Sequence, residues 1–270
     1  WGGRAPVDGG TVDGKPAAEF VDDLVAELQG MDNVQMRSRT MGAGVYDHGY
    51  VLGYERLTDH APQKSGPRHR LWRIRAGHVI TATGAIERPL SFAGNDIPGV
   101  MLAAAVRDYV VNWGVSIGDR TVVVTNNDNA YLTAIALKHA GLDVPAILDA
   151  RVLPQDSTLM EQAKALGIRV MMGHAIASVK GGKRVTGVTV CSQAGEGAAL
   201  EEIACDAVAM SGGWSPVVHL WSHCGGKLRW DTAQACFSPD LDNAPKGADG
   251  MGFVTPAGAA SGMFPLDDVL

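Results

Sequence analysis

The sequence lacks most features that would assign it a function at a glance. Its only cysteines, Cys191, Cys205, Cys224 and Cys236, form no C-x-x-C pair, which excludes a dithiol redox centre and a zinc knuckle and predicts reduced, partly buried thiols. No apolar run reaches the length of a bilayer span. The first thirty residues have neither the basic start nor the apolar stretch of a signal peptide, so no membrane partner and a cytoplasmic location are expected. Acidic and basic residues are interspersed, 29 against 23 for a net charge of -6, with no basic run; nucleic acid is therefore not an expected partner. No G-x-S-x-G nucleophile signature occurs. His219 and His223 share a helix face at i, i+4 beside Cys224, but without a third ligand or the glutamate of a zinc protease they predict partly exposed helix residues.

What is present is an apolar chain, 46% hydrophobic over 270 residues with 34 glycines, enough for a sizeable core and many tight turns. Pro16–Gly30 carries a helical stripe at Phe20, Val21, Leu24, Val25 and Leu28, with Gly30 as its stop. Short strands are expected at Val34–Arg37 and Met41–Tyr46. An aromatic-rich turn, Tyr46-Asp47-His48-Gly49-Tyr50, returns through the strand that contains Tyr54, and two further strands lie within RLWRIRAGHVITATG. A helix from Met101 to Trp113 opens a run of alternating units: strand 121–125, helix 130–140, strand 144–148, helix 158–166 and strand 168–172. This is the spacing of a doubly wound parallel sheet. An antiparallel pair, 174–180 and 184–192, follows, then a buried strand over 203–210. Near the end, 252–255 predicts a strand, and Gly-Ala-Ala-Ser-Gly leads into a final helix.

One absence is more telling than the rest. After the strand Val122–Val124, where a dinucleotide fingerprint G-x-G-x-x-G/A would stand, the sequence is TNNDNAY. The three glycine slots fall on Asn126, Asp128 and Tyr131. Asn126 suits the tight turn because asparagine tolerates a left-handed backbone. Asp128 would face the phosphates; at ~4 Å and an effective dielectric of ~20, two like charges repel by about 4 kcal/mol. Tyr131 is too large for close strand–helix packing. The expectation is nucleotide-binding architecture with its site in this lobe closed or turned to another use.

Elsewhere, the buried strand of VITATGAIERPL ends in Ala-Thr-Gly, placing Thr83 and Gly84 at the carboxyl end of a sheet, where ligands of open α/β folds collect. The C-terminal stretch FVTPAGAASGMFPLDDVL offers a second strand-to-glycine turn at Gly258, Ala259, Ala260 and Ser261, whose unpaired N–H groups favour an anion.

Together, YDHGYVLGYERLTDH (46–60), RIRAGHVITATGAIERPLSFAGNDIPGVMLAAAVRDYV (73–110), RTVVVTNNDNAYLTAIALKHAG (120–141), SGGWSPVVHLWSHCGGKLRWD (211–231) and AGAASG (257–262) resemble the α subunit of heterotetrameric sarcosine oxidase. The resemblance spans nearly the whole chain and includes the Asn-Asn-Asp turn. It implies an α/β fold of two Rossmann-like dinucleotide-binding lobes of glutathione-reductase type with an antiparallel β crossover. A partial first lobe is expected over 1–96, a second over 97–212, and a return to the first over 213–270. It also implies an oxidoreductase acting on CH–NH donors. Such a complex converts sarcosine to glycine with peroxide formation, and tetrahydrofolate accepts the one-carbon unit. The implied cofactors are NAD on this subunit, FMN at the boundary with a β subunit, and FAD on that subunit; the implied partners are β, γ and δ subunits. No catalytic acid or base is implied here. The expected cofactor contacts are Gly3, Arg4, Gly42, Ala43, Thr83, Gly84, Gly258, Ala259, Ala260, Ser261 and Leu266. A strand with G-x-G-x-x-G is expected before Trp1, and a folate-binding domain after Leu270. The alternatives are a subunit of an opine or amino-acid dehydrogenase and a non-catalytic scaffold with both nucleotide sites dead. The missing C-x-x-C argues against a thioredoxin-reductase-like enzyme.

Overall fold

The computed structural model describes residues 1–61, 65–152, 157–193 and 197–264. The chain forms two units, one of 1–86 with 215–270 and one of 87–214.

The second unit is built on a five-stranded, wholly parallel sheet. Its spatial order is Val170–Met172, Ile147–Asp149, Thr121–Thr125, Ala207–Ser211 and Val100–Leu102. The β-branched run Thr121–Thr125 is buried at every position, as a central strand covered on both faces must be. Val123 points into a cluster with Val106, Tyr131, Leu137 and Met160 from the helices Ala103–Trp113, Asn129–His139 and Thr158–Ala165. Val122 and Val124 point the other way. They meet Ile176, Val188 and Ile203 of an antiparallel sheet made of His174–Gly181, Val185–Ser192 and Ala199–Ile203. The alternation of one strand thus fixes a three-layer stack of helices, parallel sheet and antiparallel sheet. Ser157 caps its helix by accepting from the Met160 N–H at 3.4 Å, satisfying one of the unpaired donors of the first turn.

The first unit carries the helix Ala17–Gln29, of which only Ala17 is fully buried. It also holds a three-stranded antiparallel sheet, Thr40–Tyr46, Tyr50–Arg56 and His69–Arg75. The turn between the first two strands holds His48 and Gly49 at positive φ. A Cβ on Gly49 would lie 2.1 Å from the Ala76 carbonyl oxygen, so only glycine fits. Two parallel strands, Val79–Thr81 and Val254–Pro256, pair side by side. Val45, Trp221, Cys224, Phe253 and Val254 form the core, and the Trp221 indole N–H donates to the Lys227 carbonyl at 2.8 Å.

Several expectations need correction. Val34–Arg37 forms no strand. Met101 and Leu102, expected at the start of a helix, belong instead to Val100–Leu102, a strand of the parallel sheet, and the helix begins at Ala103. The residues after Pro256 make a single 3-10 turn, Gly258–Ser261, closed by Gly262 in a left-handed conformation. The final helix expected beyond it falls on residues outside those described. His219 and His223 are exposed on a short helix, and no cluster of three metal-ligating groups exists among the described residues. No helix among them is long and apolar enough to cross a membrane. All four cysteines are free and buried. Burial pushes the Cys205 thiol up to about 11, which keeps it protonated and unreactive at neutral pH.

Candidate functional site

Both units place a strand-to-turn junction where an α/β fold would hold a nucleotide, and the two junctions differ in chemistry.

In the second unit the order of the parallel sheet reverses between Thr121–Thr125 and Ala207–Ser211, and the crevice at that switch point is the expected ligand position. Side-chain hydrogen bonds span it. The Asn127 amide donates to the Ser211 hydroxyl at 3.0 Å, and the Asn126 amide reaches the Gly212 carbonyl at 3.5 Å. The Thr125 hydroxyl accepts from the Asn127 N–H and donates to the Asn127 carbonyl, each at 3.0 Å, so the turn is set by a side chain. Asn126 accordingly does not take the left-handed conformation expected of the first glycine slot.

The other two slots also act differently from expectation. Asp128 is ion-paired with Arg151 at 2.6 Å, so its charge is neutralised locally and the phosphate repulsion argued from sequence is not what closes the site. Tyr131 is fully buried, and its hydroxyl donates to Asp149 at 2.8 Å. Burial, and then the Asp149 carboxylate, push its pKa well above the ordinary tyrosine value. Asp149, at the end of the neighbouring strand, is wholly buried. Arg151 holds it by two parallel bonds, Nε to Oδ1 at 3.0 Å and NH2 to Oδ2 at 2.6 Å. A carboxylate in this place, about 20 residues after the fingerprint turn, holds the adenine ribose in a dinucleotide-binding lobe. Here it is consumed by Tyr131 and Arg151. The sequence reading missed both Asp149 and Arg151, although the spacing from the turn to the end of the next strand was a usable signal.

The junction in the first unit is open. The parallel register sets Thr81 against Pro256, and the Ala257 N–H donates to the Thr81 carbonyl at 3.0 Å. The turn at Thr83–Gly84 and the turn Gly258–Ser261 therefore leave adjacent strands at the same, carboxyl, end. Thr83 is anchored by its hydroxyl to the Val217 carbonyl at 2.7 Å, and Gly84 accepts from the Val217 N–H at 2.9 Å. Gly84 has φ +73°, and a Cβ built on it meets nothing within 4 Å. Ligand-sized atoms can approach its backbone from that side, which is the use a glycine serves beside a pyrophosphate. Ser261 turns its hydroxyl back to the Gly258 carbonyl at 2.7 Å, and Ala260 is buried. The exposed side of the Gly258–Ser261 turn is thus mostly backbone.

The remaining expected contacts fall elsewhere in the unit. Gly42 and Ala43 lie at a bulge in the strand Thr40–Tyr46, and a Cβ on Gly42 would touch Leu220 at 3.6 Å. Gly3 and Arg4 precede the short helix Ala5–Asp8, where the Arg4 guanidinium is paired with Asp8 at 2.8 Å. Leu266 lies outside the described residues.

A three-layer lobe with a parallel sheet, joined to a second unit with its own paired parallel strands, is the architecture of FAD/NAD-dependent oxidoreductases. Solved structures agree. L-proline dehydrogenase from P. horikoshii superposes with a TM-score of 0.66 at 25% identity, covering 96% of this chain and 44% of that one. Thioredoxin reductase from T. acidophilum superposes with a TM-score of 0.66 at 17% identity over 96% and 79%. Within that class the sequence is similar to the sarcosine oxidase alpha subunit of Rhizobium meliloti (strain 1021), 40% identical over 264 residues, 97% of this chain and 25% of the relative. The protein of the same name from Corynebacterium sp. (strain P-1) is 38% identical over 97% of this chain and 27% of the relative. An opine oxidase subunit of Rhizobium meliloti is 29% identical over 63% of this chain. The resemblance drawn from the sequence is borne out, and the chain spans about a quarter of the length of the sarcosine oxidase relatives it matches. No protein-family model matches.

Proposed function

We propose that this chain is the NAD-holding portion of a sarcosine-oxidase-like α subunit, working in a hetero-oligomeric, cytoplasmic complex that oxidatively demethylates sarcosine to glycine and forms peroxide. The observation that carries the proposal is the match to sarcosine oxidase α subunits over 97% of the chain, which includes both turns of the open junction. NAD would lie across the Thr83–Gly84 turn and Gly258–Ser261, with Gly3, Arg4, Gly42, Ala43 and Leu266 as further contacts. The fit rests on the unfilled space at Gly84 and on two glycine turns at one end of paired strands. Backbone N–H groups of these turns would face the pyrophosphate, and the Thr83 hydroxyl, tied to Val217, would hold the turn in shape.

The chain's role is binding and assembly, and none of its side chains is assigned as catalytic acid or base. FMN at the boundary with a β-type subunit, and FAD on that subunit, would supply the redox chemistry; γ- and δ-type subunits and a tetrahydrofolate acceptor complete the proposed complex. The relationship to an opine oxidase subunit favours one second reading, a subunit of an opine-oxidising enzyme, because it covers 63% of the chain. The intact complex separates the two. Peroxide release with sarcosine, together with NAD released on denaturation, supports the first; turnover with an opine and none with sarcosine supports the second. A complex free of NAD would remove the cofactor assignment.

A further inference from the structure

Within the interspersed charge of the sequence one stretch is locally basic. Residues 37–78 hold eight of the chain's 23 Lys and Arg and only three of its 29 Asp and Glu, in a protein of net charge -6. Two of those three acids are already engaged. Asp59 pairs with Arg68 and His69, and Glu55 accepts from the Trp72 indole at 2.7 Å and lies 3.4 Å from Arg70.

Arg56, Arg70, Arg73 and Arg75 lie on one three-stranded sheet. Its edge strand His69–Arg75 is exposed at six of seven positions. The register sets Arg75 opposite Tyr50, Arg73 opposite Leu52 and Leu71 opposite Tyr54, so all six share a face. The Arg75 guanidinium lies 4.9 Å from the centre of the Tyr50 ring, and Leu71 is 57% exposed. Neither Arg73 nor Arg75 has a carboxylate partner among the described residues. Arginine and tyrosine around an exposed aliphatic centre, with lysine nearly absent, is the composition of a protein–protein interface. A surface that only neutralised phosphates would not need Leu71 in the open.

The geometry points to this face as the docking surface for an acidic protein subunit, Arg73 and Arg75 pairing with its carboxylates around the Tyr50, Leu52, Tyr54 and Leu71 centre. The assignment rests on the subunit reading proposed above and adds to it a surface and the charge of the partner.

The test places Arg73→Glu with Arg75→Glu in the intact complex and follows its dissociation at rising salt by mass photometry, with Arg73→Lys and Arg75→Lys as the charge-conserving control. The expected result is association about tenfold or more weaker in the glutamate variant, near wild type in the lysine variant, and progressively weaker with salt in the wild type. Far-UV circular dichroism and thermal unfolding of the subunit purified in the full-length form should be unchanged by either substitution. A glutamate variant that assembles like wild type overturns the docking surface and leaves the subunit reading standing. A wild-type chain that co-purifies with no other subunit overturns both. Loss instead of a homodimer in sedimentation, or of single-stranded oligonucleotide binding in fluorescence anisotropy, overturns the assignment in favour of a second copy or a nucleic acid.

Discussion

At the end of Thr121–Thr125 the second unit fills its nucleotide position with Asn126, Asn127, Asp128 and Tyr131, each bonded to a neighbour, and draws Asp149 and Arg151 into the same network. At the end of Val79–Thr81 the first unit leaves Gly84 with nothing where its Cβ would be. The two places share an architecture and differ in whether side chains occupy the crevice. Each side chain introduced there finds at least one partner, although the Asn127 Oδ1 is buried without one, and such a network of buried polar bonds rigidifies its lobe. The first-unit junction has no such network: Gly84 sits at φ +73° with nothing within 4 Å of where its Cβ would be, the space the proposed ligand would approach.

The comparison predicts unequal sensitivity to mutation. The largest effect belongs to Arg151→Ala, which leaves the buried Asp149 charge without its cation; a loss of about 3–5 kcal/mol is expected in urea unfolding. A loss under about 1 kcal/mol would mean that the network is ornamental and the lobe is not closed by it. Tyr131→Phe removes only the hydroxyl bonded to Asp149 and should cost about 1.5–3 kcal/mol, read from the same unfolding curves. The open junction should be far more tolerant. Thr83→Val deletes one exposed bond to Val217 and is expected to shift stability by about 0.5–1 kcal/mol at most. If Thr83→Val proved as damaging as Tyr131→Phe, the contrast between the two ends would fail.

The parallel sheet of the second unit was legible in sequence because its strands are largely apolar and alternate with helical stretches that stop at glycines. Val100–Leu102 was not, since its three residues run without a break into Ala103–Trp113 and only tertiary pairing with Ala207–Ser211 makes them a strand. Ala199–Ile203 was hidden by composition: ALEEI alternates weakly, and its pairing with Val185–Ser192 decides the outcome. The hairpin Leu228–Asp231 with Cys236–Pro239 was missed because no glycine-rich turn marks it.

For the sites, the missing glycines marked the second-unit turn as unusual, but one of the two expected causes, beside the bulk of Tyr131, was charge repulsion from Asp128. An arginine 23 residues away cancels that charge, and local sequence cannot show such a pairing. The two open turns were visible as glycine-bearing strand ends. Their adjacency required the parallel pairing of strands that lie far apart in the chain. The basic face of the three-stranded sheet was invisible for a related reason. Arg73 and Arg75 sit at i, i+2 on one strand, and only the register shows that Tyr50, Leu52 and Tyr54 lie beside them.

The proposed NAD site meets its most direct test in one titration: the dissociation constant of NAD for the intact complex carrying Gly84→Ala, set against that for Tyr131→Phe. A methyl group at Gly84 enters the space the dinucleotide would use and strains a backbone at φ +73°. The expected result is affinity lowered about tenfold or more by Gly84→Ala and unchanged by Tyr131→Phe. Unchanged affinity in Gly84→Ala with a loss in Tyr131→Phe would put the nucleotide in the crevice held to be closed, and would contradict an open first-unit site.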